Sequence, residues 1–173
     1  MKNIKRLFTA SLFLAAALIL TSSQTKEYKA SMPGWLVNLE DAEKISRETG
    51  KPILATFTGS DWCGWCIRLK NEVFTTKEFK AWAKENVVLL EVDFPKRFKL
   101  PNEIAAQNAG MQRAFKVGGY PTIWVFDSYV DETTGRRGIN ALAKSGYLQG
   151  GPSIWTADIE KKVAFAKEQL KNK

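Results

Sequence analysis

Cys63 and Cys66 are the only cysteines in the chain, and they stand two residues apart within Gly59–Lys70, GSDWCGWCIRLK. Two sulfurs at this spacing can hold a metal, staple a turn, or cycle between dithiol and disulfide. A structural zinc site needs four ligands and a catalytic one three. The chain has two cysteines and no histidine, so only carboxylates are left to complete a metal site. Copper and iron are disfavoured for the same reason, and no metal is expected. A staple across so short a loop removes little entropy from the unfolded chain. A dithiol that cycles is the chemistry these residues suit best.

That chemistry needs one sulfur held as a thiolate, which in turn needs a strand before the pair and a helix after it. Pro52–Gly59, PILATFTG, is a short apolar run rich in β-formers, and CIRLKNEVF has helical spacing. A cysteine at the first turn of a helix faces unpaired backbone N–H groups and the positive end of the dipole, which lower its pKa. Cys63 is expected in that position, exposed and attacking. Cys66, one turn inward, is expected to be more buried and to resolve the mixed disulfide. Gly64 allows a tight bend between them. Asp61 is close in sequence, and a carboxylate beside a thiol opposes its ionisation.

The remaining elements follow from periodicity and punctuation. Asn38 caps a helix with Ala42 and Ile45 on one face, which Gly50 and Pro52 stop. TKEFKAWAKENV is a second helix with Phe79, Trp82 and Ala83 inward. VVLLEVDF is a buried strand, and NEIAAQNAGMQRAFKV is a helix with Ile104, Met111 and Phe115 inward. PTIWVFD is a third strand. INALAKSGYL is a weaker edge strand after the turn DETTGRRG, and Ser153–Leu170 is an amphipathic helix carrying Ile159, Val163, Phe165 and Leu170. Strands separated by helices imply an α/β sandwich, a central sheet covered on both faces.

The N-terminus reads as an export signal. Lys2, Lys5 and Arg6 precede the apolar Leu7–Leu20, which is shorter than the roughly 20 residues of a membrane-spanning helix. The expected organisation is a signal peptide over 1–23, a flexible leader over 24–34 and one domain over 35–173, placing the mature protein in the periplasm or otherwise outside the cytoplasm. Loss of the signal lowers the formal charge from +8 to +5, because three basic residues leave and no acidic one does. The remaining lysines and arginines are scattered, as on a solvated face. Nucleic acid is therefore not an expected partner, and no dimerisation segment stands out, so a monomer is expected.

WCGWC after an apolar strand, then GGYPT at Gly118–Thr122 and IWVFD, resembles the thioredoxin superfamily. The chain resembles more closely the exported bacterial members whose active sites read FTGSDWCxWC, from Trp35 to the C-terminus. The resemblance implies a thioredoxin-like three-layer α/β/α sandwich with a central mixed sheet. It implies that Cys63 attacks, that Cys66 resolves, and that Pro121 is a cis proline beside the disulfide. The Tyr120 backbone is then placed to pair with an extended substrate segment. Trp62 is implied to pack against the site, and Trp65, where cytosolic thioredoxins have proline, to contact substrate. The implied activity is exchange or reduction of disulfides in exported proteins, using the Cys63–Cys66 disulfide as the redox group, no separate cofactor, and electrons from a membrane protein.

Two departures qualify the resemblance. The family's buried aspartate before the CxxC is replaced by Thr56, or by Phe57 if no extra residue is allowed for, and its lysine partner by Leu89. The family's proton relay therefore does not carry over, which leaves water or Asp61 for that role. No histidine lies between the cysteines, which leans the pair towards a reductant. An oxidant or isomerase of the same fold, and a binding module with a structural disulfide, are the alternatives. Ser128–Gly151 is longer than the minimal fold needs and is a candidate partner-specific surface.

Overall fold

The computed structural model describes residues 28–131 and 133–171. The expected signal peptide, 1–23, and residues 24–27 of the leader lie outside the described residues. β1 (Ile53–Thr58) is buried along its whole length, as expected of a central strand covered on both faces. It pairs in parallel with β2 (Val88–Asp93) and antiparallel with β3 (Thr122–Val130), and β3 pairs antiparallel with β4 (Arg137–Ser145). The order β2-β1-β3-β4 is a mixed sheet with β4 at an edge. α1 (Leu39–Thr49) and α4 (Asn102–Ala114) cover one face. The other is covered by α2 (Gly64–Leu69), which runs on through a π-helical turn at Lys70–Phe74, by α3 (Lys77–Asn86) and by α5 (Gly151–Lys171). This is the expected three-layer α/β/α sandwich.

Side chains alternate across β1 and β2. Ile53, Ala55 and Phe57 join Val88, Leu90 and Val92 under Ala42, Met111 and Phe115. Leu54 faces the opposite layer, with Leu69, Phe74, Phe79 and Trp155. Thr56 and Thr58 continue that second face, and the parallel register sets them beside Glu91 and Asp93. One face of the sheet is thus apolar throughout, while the other turns polar at the end that carries the cysteines.

Local signals account for the helix ends. Asn38 Oδ1 accepts from Glu40 N at 2.8 Å, and Gly50, at φ +70°, closes α1 by donating to Ser46 O. A Cβ on Gly50 meets no atom within 4 Å, so Gly50→Ala carries only the left-handed backbone penalty. The expected loss is about 1 kcal/mol in a denaturant titration, with redox activity unchanged. Ile45 was expected inward but is exposed. The buried side of α1 is Ala42, Glu43 and Ser46, with Glu43 paired to Arg137 at 3.0 Å. Trp82 is only half-buried, its Nε1 donating to Glu160 at 2.6 Å. In α5, Ile159 is buried and Val163 packs on the core, whereas Phe165 and Leu170 are exposed as the helix runs past the core.

Two segments differ from expectation. β3 and β4 extend into a hairpin arm whose tip Asp131 holds, its Oδ1 accepting from Thr133 N and Thr134 N. A bulge at Val125/Phe126 allows both Leu142 and Ala143 into the core. The leader, expected to be flexible through Gly34, is packed from Ala30 onward. Met32 is buried in the core cluster, Ser31 is bonded to Glu91, and Leu36 bridges to Leu90 along the outer edge of β2.

Candidate active site

β1 ends at Thr58, and the turn Gly59–Trp62 delivers the chain to Cys63, which caps α2. Cys63 Sγ accepts from Cys66 N at 3.2 Å, and the two sulfurs form a disulfide with Cα atoms 5.2 Å apart. The expected contrast in burial is small in this oxidised form: Cys63 is 7% exposed and Cys66 5%. Cys63 is therefore not the exposed sulfur that its place at the helix start suggested. Bound to Cys66, it lies against the protein.

Aromatic rings border the pair. Trp62 meets Tyr120 edge-on at 5.8 Å, and Tyr120 stacks on Phe94 at 5.2 Å. Trp62 Nε1 donates to Phe94 O at 2.7 Å, and Lys96 Nζ lies 4.0 Å from the Trp62 ring centre. A Cβ at Gly59 would collide with the Trp62 ring, so only glycine fits that turn with the ring in place. The Tyr120–Pro121 peptide is cis, and Gln112 Nε2 donates to Tyr120 Oη at 2.7 Å. On the other side Trp65, 57% exposed, leans on Tyr147 at 5.2 Å. Arg68 sits over Tyr147, and both Arg68 Nε and Tyr147 Oη donate to Glu72. Phe94, Lys96 and Tyr147 lie far from the cysteines in sequence and carry no local signal.

Asp61 does not face the sulfurs. Its carboxylate accepts from Lys96 N and Arg97 N, tying the turn before Cys63 to the loop after β2. Desolvation pushes its carboxyl upward, but these backbone N–H groups outweigh that and hold it below the ordinary carboxylate range. Its carboxylate is thus engaged by the loop after β2.

Two buried acidic groups lie on β2, paired with Thr56 and Thr58 of β1. Glu91 is 1% exposed and accepts from Ser31 N and Ser31 Oγ, both at 2.8 Å. Desolvation raises its carboxyl above the usual range, with Asp93 adding to the rise and the Ser31 bonds and Lys70 opposing it. Asp93 is also raised by desolvation, against bonds from Ser60 Oγ, Ser60 N and Phe94 N. The sequence carried a signal for both: two acidic residues at alternate positions of an otherwise apolar strand. A carboxyl raised on folding binds its proton more tightly in the native state, so its contribution to stability falls as pH rises above the ordinary 4.5. Glu91→Gln removes that dependence. The melting temperature of the variant relative to the parent is expected to climb as pH rises from the acid range to neutrality.

The family described as thioredoxin-like domain matches residues 39–138. The chain is 31% identical over 137 residues to the disulfide bond reductase DsbH of Chlamydia pneumoniae, covering 79% of this chain and 76% of that protein. It is 30% identical over 126 residues to the thioredoxin-related protein DsbJ of the same organism, covering 70% of this chain but only 36% of that one. A solved structure titled DsbH oxidoreductase superposes with a TM-score of 0.66 at 28% identity, over 80% of this chain and 94% of that one. A thioredoxin from Thermus thermophilus, at 12% identity, TM-score 0.51, and coverage of 71% and 82%, shares the fold. With its CxxC disulfide at the start of a helix and a cis-proline alongside, this chain belongs to the thioredoxin-like family of thiol–disulfide oxidoreductases.

Proposed function

We propose that the protein is an exported disulfide reductase in which Cys63 attacks the substrate disulfide and Cys66 releases the product. The observation that carries this reading is the Cys66 N–H aimed at Cys63 Sγ. In the reduced protein the same donor stabilises a thiolate on Cys63 in preference to Cys66, and the thiolate is the nucleophile. Cys63 Sγ takes the substrate sulfur, the substrate's other sulfur leaves as a thiolate, and Cys66 then displaces the bound sulfur. The substrate disulfide gains two electrons and the cysteine pair loses them. Trp62, Trp65, Tyr120 and Pro121 border the pair as the substrate-facing surface, with the Tyr120 backbone pairing to an extended segment of the target.

Disulfide-containing exported proteins are the proposed substrates and a membrane protein the electron donor. The reductase reading draws support from the absence of histidine between the cysteines and from the similarity to a protein named a disulfide bond reductase. The basic and apolar N-terminal sequence supports export, with a signal peptide over 1–23 ahead of the leader and the domain. The test is the reduction potential of the pair, read by tryptophan fluorescence in thiol buffers. A value near the roughly −270 mV of thioredoxin is expected. A value between about −180 and −120 mV would make the protein an oxidant or isomerase, and one well below about −300 mV would make the disulfide structural and the domain a binding module.

A further inference from the structure

Against Cys66 lies a partly open pocket of about 10 Å³, room for the centre of one water, walled by Ser31, Thr56, Ser60, Lys70, Cys66 and Pro121 among others. Its polar groups stand among the apolar Met32, Ile67, Leu69 and Phe74. Thr56 is 1% exposed, and its Oγ1 has no hydrogen-bond partner among the described residues. A buried hydroxyl left unpaired costs free energy unless something transient completes it. Two carboxylates reach the cavity wall through serines: Glu91 through Ser31 and Asp93 through Ser60.

The two acids are not equivalent. Asp93 accepts three hydrogen bonds, from Ser60 N, Ser60 Oγ and Phe94 N, which favour its charged form. Glu91 accepts two, both from Ser31, and shares its strand face with Asp93, so a proton entering the pair settles on Glu91. The other charged or titratable groups near Glu91 are Tyr28 in the leader and Lys70 in the π-helical turn; Lys70 Nζ donates to Ser31 O at 3.0 Å and lies 3.4 Å from Ser31 Oγ.

We propose that Glu91 is the proton acceptor for Cys66, reached through Ser31 Oγ and one water held in the cavity against Thr56 Oγ1. In the second half of the reaction the Cys66 thiol gives its proton to that water, the water passes one of its own to Ser31 Oγ, and Ser31 passes its hydroxyl proton to Glu91, leaving water and serine neutral. The Cys66 thiolate attacks Cys63 Sγ, the Cys63–Cys66 bond forms, the bond to the substrate sulfur breaks, and that sulfur leaves as a thiolate that takes a proton from solvent. The proton on Glu91 returns to solvent or to Cys66 when the pair is next reduced. Glu91 is a positioning residue in this scheme, since it touches neither sulfur. The serine that links it to the site comes from the leader, so the segment before the domain completes the active site.

The inference rests on the reading that Cys63 attacks and Cys66 resolves, and its test separates the two. The reduced protein is mixed with glutathione disulfide, quenched with acid at intervals, and the mixed-disulfide and fully oxidised species are weighed by mass spectrometry. In Glu91→Gln the mixed disulfide should form at the parent rate but decay at least about tenfold more slowly near neutral pH. The difference should close above the ordinary thiol pKa of about 8.5, where Cys66 ionises unaided. Ser31→Ala should show a smaller slowing with the same pH dependence, and it carries the test if Glu91→Gln does not fold. Decay within twofold of the parent at neutral pH, or a slowing equal at every pH, overturns the proposal. So does the full effect appearing in Asp93→Asn instead. Failure of the underlying reading looks different: the parent itself would form its mixed disulfide on Cys66.

Discussion

Replacing Cys66 by serine is expected to convert the protein into a trap that stays bonded to its substrates through Cys63. In the parent, the resolving sulfur is held one helical turn from the attacking one, with Cα atoms 5.2 Å apart. An intramolecular thiol at that range acts at an effective concentration of about millimolar or more, against micromolar free thiols, so its loss lengthens the mixed disulfide's life by roughly a thousandfold. Non-reducing gels of the Cys66→Ser strain should show ladders of adducts that collapse with reductant. Cys63→Ser should show no ladder and no disulfide reductase turnover. The opposite pattern, with adducts in Cys63→Ser alone, would reverse the roles of the two sulfurs. Adducts in neither, with partner binding retained in the double serine variant, would make the domain a binding module.

Trp155→Ala is expected to cost about 3–5 kcal/mol. Trp155 is fully buried on α5, meets Phe74 at 5.3 Å and Phe79 at 5.8 Å edge-on, and donates Nε1 to Gly146 O at 3.0 Å. Truncation leaves a cavity among rings that relax poorly, and leaves the Gly146 carbonyl without this donor. Against a total stability of about 5–15 kcal/mol, that loss removes a large share of the native margin. The urea midpoint should fall with an unchanged slope. Phe74 also lines the small cavity under Cys66, so the surviving folded fraction should exchange disulfides more slowly than the parent. A midpoint within experimental scatter of the parent would mean that α5 contributes little to the fold.

The hydrophobic pattern was enough to place the strands and helices, because alternation and 3.6-residue spacing are local properties of the chain. It was also enough to find the reactive pair, since two cysteines without histidine leave little besides thiol chemistry. Asn38 and Gly50 could be assigned to the ends of α1 for the same reason: a cap acts over three or four residues. The errors fell where a residue answers to distant neighbours. Ile45 has the spacing of a core residue, yet the buried side of α1 is Ala42, Glu43 and Ser46. The leader reads as a polar tail, yet Met32 and Ser31 are held by the core and by Glu91.

Amino-acid order alone determined the α/β class, the redox pair and the absence of the family's aspartate, from Thr56 or Phe57. Only the tertiary structure decided what stands in that aspartate's neighbourhood. The parallel register of β1 and β2 pairs Thr56 with Glu91, and that pairing depends on how two strands pack, not on the residues adjacent to either. The same packing brings Ser31 across to Glu91 and turns Asp61 towards Lys96 and Arg97. A strand's side chains show which positions are buried, but its register, set by packing across the whole sheet, decides which buried groups meet.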